Sequence, residues 1–368
     1  MLSRGGCVVI AGCLLFWAGC QKQPASQAVQ SDLPAWMTND DAREASAPEI
    51  RLASETPSAH LGLNLKPGDH FPLRKVVVQE LTQHTQQETA RQNYSRLELL
   101  LGVEVLEKQD DRIRMSVRYD RVKYQHHVAG EDLEFDSTHP GQQIPPAARA
   151  YRDMVGDGFS FWIGKDNQIV EVSGLSEFIA RCLRNVPPQD RQDVVLGIEA
   201  GAGDSGLANF VDNTIGLLPF GRQTSPGDSW ERQQQVPRPL PMHVRNVYTL
   251  KELGPQHAVI DVRGTITPST TINHRDGDPQ VRVTVNGGST LGSCVIYRET
   301  GLPKESRIDR LVEMTVTMDN AAQFRQTKRM TTTIEAFPMA STAAQPVVKS
   351  IDKGAIQRVS GVQEAGTR

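Results

Sequence analysis

The chain of 368 residues is poor in aromatic side chains and in net charge, and each shortage removes a class of function. Aromatic residues make up 5%, too few for a platform on which the bases of a single-stranded nucleic acid stack. Lys plus Arg number 40 against 43 Asp plus Glu, a formal net charge of -3. Such a balance offers no basic face for a nucleic-acid backbone. Three motifs are missing as well. There is no H-E-x-x-H of a zinc site, no C-x-x-C of a metal or redox pair, and no G-x-S-x-G nucleophile elbow. The apolar run Cys7 to Ala18 holds twelve residues. As a helix it reaches about 18 Å, against a hydrocarbon core of about 30 Å, so it cannot span a bilayer.

That run follows a short basic start, Met1-Leu2-Ser3-Arg4, and reads as the apolar region of an export signal. It closes with Trp17-Ala18-Gly19-Cys20. These residues resemble the lipobox of bacterial lipoproteins, in which the cysteine thiol is thioether-linked to diacylglycerol and becomes the new N-terminus. Trp17 stands where that pattern usually has Leu. Ile10-Ala11-Gly12-Cys13 fits it better but leaves only Cys7 to Ile10 as an apolar core. The resemblance therefore implies a signal peptide over residues 1–19 and lipid attachment, diacylglycerol with a palmitate-type chain, at Cys20. Gln21 is not the Asp that the sorting rule of such lipoproteins links to inner-membrane retention. An outer-membrane lipoprotein of the cell envelope facing the periplasm is expected, the alternatives being a secreted or an inner-membrane-anchored protein.

Of five cysteines, three lie in the targeting segment, leaving Cys182 and Cys294. An exported compartment permits a disulfide between them, and spacing alone leaves pairing and two separate buried thiols both open. Residues 20–60 are rich in Gln, Ser, Ala, Pro and acids with no apolar period, as expected of a disordered tether; residues 338–368 read as a disordered tail.

Between the tails the apolar spacing is that of strands. Runs at Leu97–Glu107, Ile113–Tyr124, Phe159–Ile163, Ile169–Val172, Asp309–Met318 and Gln326–Phe337 predict an antiparallel sheet, with a hairpin at Gly164-Lys165-Asp166-Asn167. Much of the pattern returns. Pro67-Gly68-Asp69 reappears as Pro226-Gly227-Asp228, and Val103–Arg118 lines up without gaps on Tyr248–Arg263. Helices are predicted at Pro145–Val155, from Leu175 to Leu183 with Ser173 or Ser176 as cap, at Arg191–Ala200 and at Leu207–Leu218. The expected fold is α+β and mainly antiparallel β: a curved sheet or half-barrel of two related units, 61–174 and 220–337, with a helical segment at 175–219.

The remaining constellations are weak. Gly201-Ala202-Gly203-Asp204-Ser205-Gly206 matches G-x-G-x-x-G but lacks a βαβ unit with an acid after its second strand. His126 and His127 are adjacent and point to opposite strand faces, so they cannot share a metal. The acids Glu131, Asp132, Glu134 and Asp136, like Asp276 and Asp278, lack the ligand spacing of a calcium loop. No catalytic residue, metal or cofactor is implied. Leu217-Leu218-Pro219-Phe220, Gly227-Asp228-Ser229-Trp230 and Val247-Tyr248-Thr249-Leu250 together resemble a family of uncharacterised bacterial lipoproteins. The leading expectation is a non-catalytic, lipid-anchored envelope protein with a binding or structural role, partnered by membrane and by a lipid or an envelope protein. Two alternatives stand beside it. One is a secreted hydrolase with a dispersed site; the other, by a looser likeness to LolA-like or LppX-like lipoprotein carriers, is a periplasmic carrier of lipid with an apolar cavity near Met115, Val117, Ile260 and Val262.

Overall fold

A computed structural model describes residues 57–84, 91–128, 130–141, 144–191, 194–195, 211, 213–236, 241–273, 281–318 and 322–337. All belong to the first of two units, Met1–Phe337 and Pro338–Arg368. The signal, Cys20, the tether up to residue 56, the tail, residues 201–206, Asp276 and Asp278 lie outside the described residues, as does most of the expected helix at Arg191–Ala200, whose described residues Arg191, Val194 and Val195 are helical.

In chain order the elements are β1 (Ala59–His60), β2 (His70–His84), β3 (Arg91–Lys108), β4 (Arg112–Val128), β5 (Glu131–Asp136), α1 (Pro146–Met154), β6 (Gly158–Gly164), β7 (Ile169–Ser173) and α2 (Leu175–Cys182). Then come β8 (Gln223–Thr224), β9 (Ser229–Val236), β10 (Met242–Leu253), β11 (His257–Thr267), β12 (Ser269–Asn273), β13 (Val281–Tyr297), β14 (Pro303–Met318) and β15 (Gln323–Ala336). Two of the four predicted helices, those at Pro145–Val155 and from Leu175 to Leu183, form as α1 and α2 where the apolar spacing put them. The cap of α2 differs: Gly174, at φ 80°, takes that position and no side chain caps the helix. Of the expected helix Leu207–Leu218, Val211 is helical and residues 213–217 are turn, with Gly216 N–H donating to the Val211 carbonyl.

One large sheet runs in the order β7-β6-β4-β3-β2-β15-β14-β13-β11-β10-β9, every pairing antiparallel, with β5 and β12 as short side strands on β4 and β13. The outermost strands, β7 and β9, exchange no ladder, so the sheet is not closed into a barrel. A sheet of this many strands curls rather than stays flat. Here the curl brings the two edges together: Arg232 on β9 donates from Nη2 to the Asp166 carbonyl of the β6–β7 turn at 2.6 Å.

The two Pro-Gly-Asp turns make the same bonds. Asp69 Oδ2 accepts from Lys66 N–H at 2.7 Å, and Asp228 Oδ2 from Ser225 N–H at 2.8 Å. Gly68 and Gly227, at φ 91° and 95°, donate to the Val105 and Leu250 carbonyls. A bulge follows at Val105/Glu107 in β3 and at Leu250/Glu252 in β10. A tight reversal comes next, Gln109 N–H to Arg112 O in one half and Gly254 N–H to His257 O in the other.

Helices α1 and α2 and the segment around Ile215 to Leu218 cover one end of the inner face. Phe178 of α2 stacks on Tyr119 of β4 with centroids 5.4 Å apart, and Tyr151 of α1 meets Tyr124 at 4.7 Å. Met115, Val117, Ile260 and Val262 are all buried in this core. They are the residues expected to line a cavity; at this end they are packed against the covering elements instead.

Candidate functional site

The inner face is layered by strand register. One row crosses nine strands: Arg232 on β9, Asn246 on β10, Gly264 on β11, Thr290 on β13, Arg310 on β14, Met330 on β15, Gln79 on β2, Ser95 on β3 and His126 on β4. Toward the covered end the next row is apolar, from Trp230 through Tyr248, Val262 and Ile308 to Leu97. Toward the other end lies a second apolar cluster with Val236, Met242, Val244, Ile266, Val283, Val285, Val312, Met314 and Val316. Among the described residues this cluster is made of strand side chains alone. A polar row thus separates two apolar zones.

Away from the strand ends, the inward positions of β2–β4, β6, β9–β11 and β13–β15 carry the cations Lys75, Arg232, Arg310 and Lys328 and no Asp or Glu. Burial pushes Lys75 down to about 8, because a low-dielectric surrounding disfavours the charged form. Lys328, placed between Val312 of β14 and Leu81 of β2, is lowered for the same reason, and no charged neighbour contributes. Lys75 and Arg310 are engaged within the protein.

The polar row also holds buried atoms whose hydrogen-bonding capacity is unused among the described residues: Arg232 Nη1, Asn246 Oδ1 and Thr290 Oγ1, with Gln234 Oε1 beside them. Asn246 is 5% exposed and Thr290 1%. Gly264 between them has a reason to be glycine. An added Cβ would collide with Asn246 Oδ1 and come within 3.1 Å of Thr290 Cβ, so the missing side chain lets the two neighbours lean across β11. Leaving such groups unsatisfied costs about 1–3 kcal/mol each.

The outer face is of opposite design. Its groove of about 420 Å³ is lined by Arg74, Arg96, Arg307, Arg329, Glu80 and Glu335 among others. There the charges neutralise one another: Arg74 meets Glu98 at 3.0 Å and Glu335 at 3.1 Å, and Asp309 faces Arg307 and Arg329.

The residues singled out from sequence are scattered. Cys182 on α2 and Cys294 on β13 are separate buried thiols rather than a disulfide, each pushed up to about 12 by burial. Cys182 is held beneath α2 and Cys294 lies opposite Ser306 of β14. His126 Nδ1 lies 3.1 Å from the Tyr124 hydroxyl, while His127 pairs with Asp132 at 2.7 Å. Asp136 is held far below the usual carboxylate range, first by Arg121. Thr138 bonds both Asp136 and His139, and Thr327 faces His84, all at exposed positions. In neither contact does a carboxylate orient the imidazole, as a nucleophile–base pair requires. Among the described residues no cluster of three His, Cys, Asp or Glu could hold a metal.

Residues 110–303 match a family described as Family of unknown function (DUF6263). No curated protein matches the sequence. A structure of lipid–protein interactions in lipovitellin is similar over 77% of this chain and 27% of that one, at 11% identity and a TM-score of 0.39. The chain thus spans about a quarter of that protein's length. An outer membrane channel from Pseudomonas putida F1 is similar over 75% of this chain and 97% of that chain, at 8% identity and a TM-score of 0.17. The outer membrane protein opdK from Pseudomonas aeruginosa is similar over 73% and 99%, at 6% identity and a TM-score of 0.15.

Proposed function

The chain belongs to this family of unknown function, and we propose that it is a non-catalytic binding module that lodges the apolar part of a lipid against the inner face of its curled sheet. One observation carries the reading. The second apolar cluster is built by strands alone among the described residues, inside a sheet whose outer strands approach without pairing. Apolar positions gathered on a concave surface, with a few fixed polar groups beside them, are the ordinary make-up of a small-ligand site.

Two further parts belong to this proposal. The body is tethered to a bacterial envelope membrane through a lipidated Cys20, on the outer membrane facing the periplasm. Its near-zero net charge supports this, since it gives little electrostatic hold on an anionic surface. The halves β2-β3-β4-β6-β7 and β9-β10-β11-β13-β14 descend from one unit. Their shared turn bonds, shared bulges and identical strand order support that relation.

The test is native mass spectrometry of the full chain purified from a bacterial envelope. Two added masses are expected: a covalent diacylglycerol mass that Cys20→Ser abolishes, and a non-covalent lipid mass that the variant keeps. A wild-type chain with no non-covalent adduct overturns the binding role. A covalent mass surviving in Cys20→Ser overturns the anchor.

A further inference from the structure

The inner face is unusual in the sign of its charge. A cation in an apolar surrounding is normally matched by a carboxylate, because an unmatched one carries a desolvation cost of several kcal/mol. On the outer face each arginine of the groove's ion-pair set has its acid. On the inner face no Asp or Glu stands at any inward strand position described, and of its cations Lys75 and Arg310 are engaged elsewhere within the protein. Among the described residues no structural pairing accounts for Lys328, and a ligand would.

We infer that Lys328, Thr290 and Asn246 receive the charged head of a single-chain lipid, so that the ligand of this face is an anion. The inference rests on the lipid-binding reading above and names the class of lipid.

Asn246 and Thr290 lean toward each other across Gly264 of β11. Thr290 lies opposite Arg310 of β14, and Lys328 of β15 lies opposite Val312, two residues further along β14. Lys328 is thus two strands from Thr290, about 10 Å across the sheet and about 7 Å along it. The head group lies between the Asn246–Thr290 pair and the ammonium on its four-carbon stem, over Arg310 and Val312. The Thr290 hydroxyl is a donor with its capacity unused. Asn246 presents an unused Oδ1 while its Nδ2 sits 3.4 Å from the Tyr248 hydroxyl. Turning the amide over aims the NH₂ group at the head and lets Oδ1 accept from Tyr248, at no steric cost because the two ends are alike in size. Arg310 adds positive charge one position away while keeping its own contacts. The apolar cluster beyond Lys328, with Val312, Met314 and Val316, then takes the chain. Burial holds Lys328 below its ordinary pKa, and an anion brought beside it reverses that shift.

The test compares three probes of equal chain length on the full chain: oleate, oleoyl lysophosphatidate and the uncharged monoolein. Wild type should bind at least one anion at least tenfold more tightly than monoolein; which of the two is preferred assigns carboxylate or phosphate. Lys328→Gln, which keeps the length and removes the charge, should bring the anions down to the monoolein value and leave monoolein binding within about twofold. Thr290→Val is the second variant, with a smaller loss confined to the anions. If wild type binds monoolein as tightly as both anions, or if the preference survives in Lys328→Gln, the inference is overturned while the lipid-binding reading stands. If none of the three binds, the lipid-binding reading falls with it.

Discussion

Lys75 shows what a single residue contributes to the behaviour of this sheet. It is 4% exposed, sits between Ile334 of β15 and Leu99 of β3, and titrates at about 8 instead of 10.5. Below pH 8 the group is protonated in both folded and unfolded chains, and the folded state bears the full cost of burying the charge. Between pH 8 and 10.5 the unfolded chain keeps a proton that the folded one has shed, so stability rises with pH across that window. The full rise is about 3 kcal/mol for a single group. Urea unfolding at pH 8 and pH 10 should show most of it in wild type and not in Lys75→Met. A rise of equal size in both proteins would assign the titration elsewhere. Such residues leave a trace in the sequence. In Ile308, Arg310, Val312, Met314, Val316 a cation occupies the apolar phase of a strand, as Lys328 does in β15. The alternation of these runs was legible, but which phase faces inward, and that Lys328 comes to lie opposite Leu81, follows from pairings some 250 residues apart in sequence, such as β15 with β2.

At the scale of elements the turns were the most legible feature. Pro67-Gly68-Asp69 and Pro226-Gly227-Asp228 announce a reversal from residue type alone, and both clasp the strand that the gapless alignment pairs, at Val105 and Leu250. Both glycines have positive φ, and a Cβ on either would meet nothing within 4 Å. Substitution there therefore measures backbone strain with no packing contribution. Gly68→Ala and Gly227→Ala should each cost about 1–2 kcal/mol. The double variant should lose the sum, since sites without shared partners add to within about 0.5 kcal/mol. Chemical denaturation of the three variants checks this, and a neutral Gly227→Ala beside a costly Gly68→Ala would show that the turns are not equivalent. Helix ends were less legible. Two serines flank the start of α2, yet Gly174 supplies the cap, because the chain leaves β7 through a left-handed residue that serine adopts poorly. Within the expected helix Leu207–Leu218, residues 213–217 are turn, and Ile215, Leu217 and Leu218 plug the core; local spacing does not distinguish those two fates.

For the molecule as a whole, the sequence implied a curved antiparallel sheet but not how its ends meet. Strands β2 to β7 and β9 to β14 could have made two separate sheets. They make one because β15, the last strand, returns to pair with β2 and with β14. The outer strands are then left facing each other, and among the described residues β9 is held by side chain to backbone: Arg232 to the Asp166 carbonyl of the β6–β7 turn, and Arg232 and Trp230 Nε1 to the Leu218 and Leu217 carbonyls of the covering segment, the last at 2.8 Å. A ladder would make this seam as firm as the rest of the wall, whereas a few such bonds make it the weakest place in the wall. Arg232→Met keeps the aliphatic stem and removes the donors. The two lost bonds are worth about 1–3 kcal/mol, so amide hydrogen exchange in Ser229–Val236 and Ile169–Ser173 should quicken roughly tenfold to a hundredfold. Exchange in β3 and β14 should stay as it is, because those strands are paired on both sides. Unchanged protection along β9 would mean that the packed core and not Arg232 holds the seam.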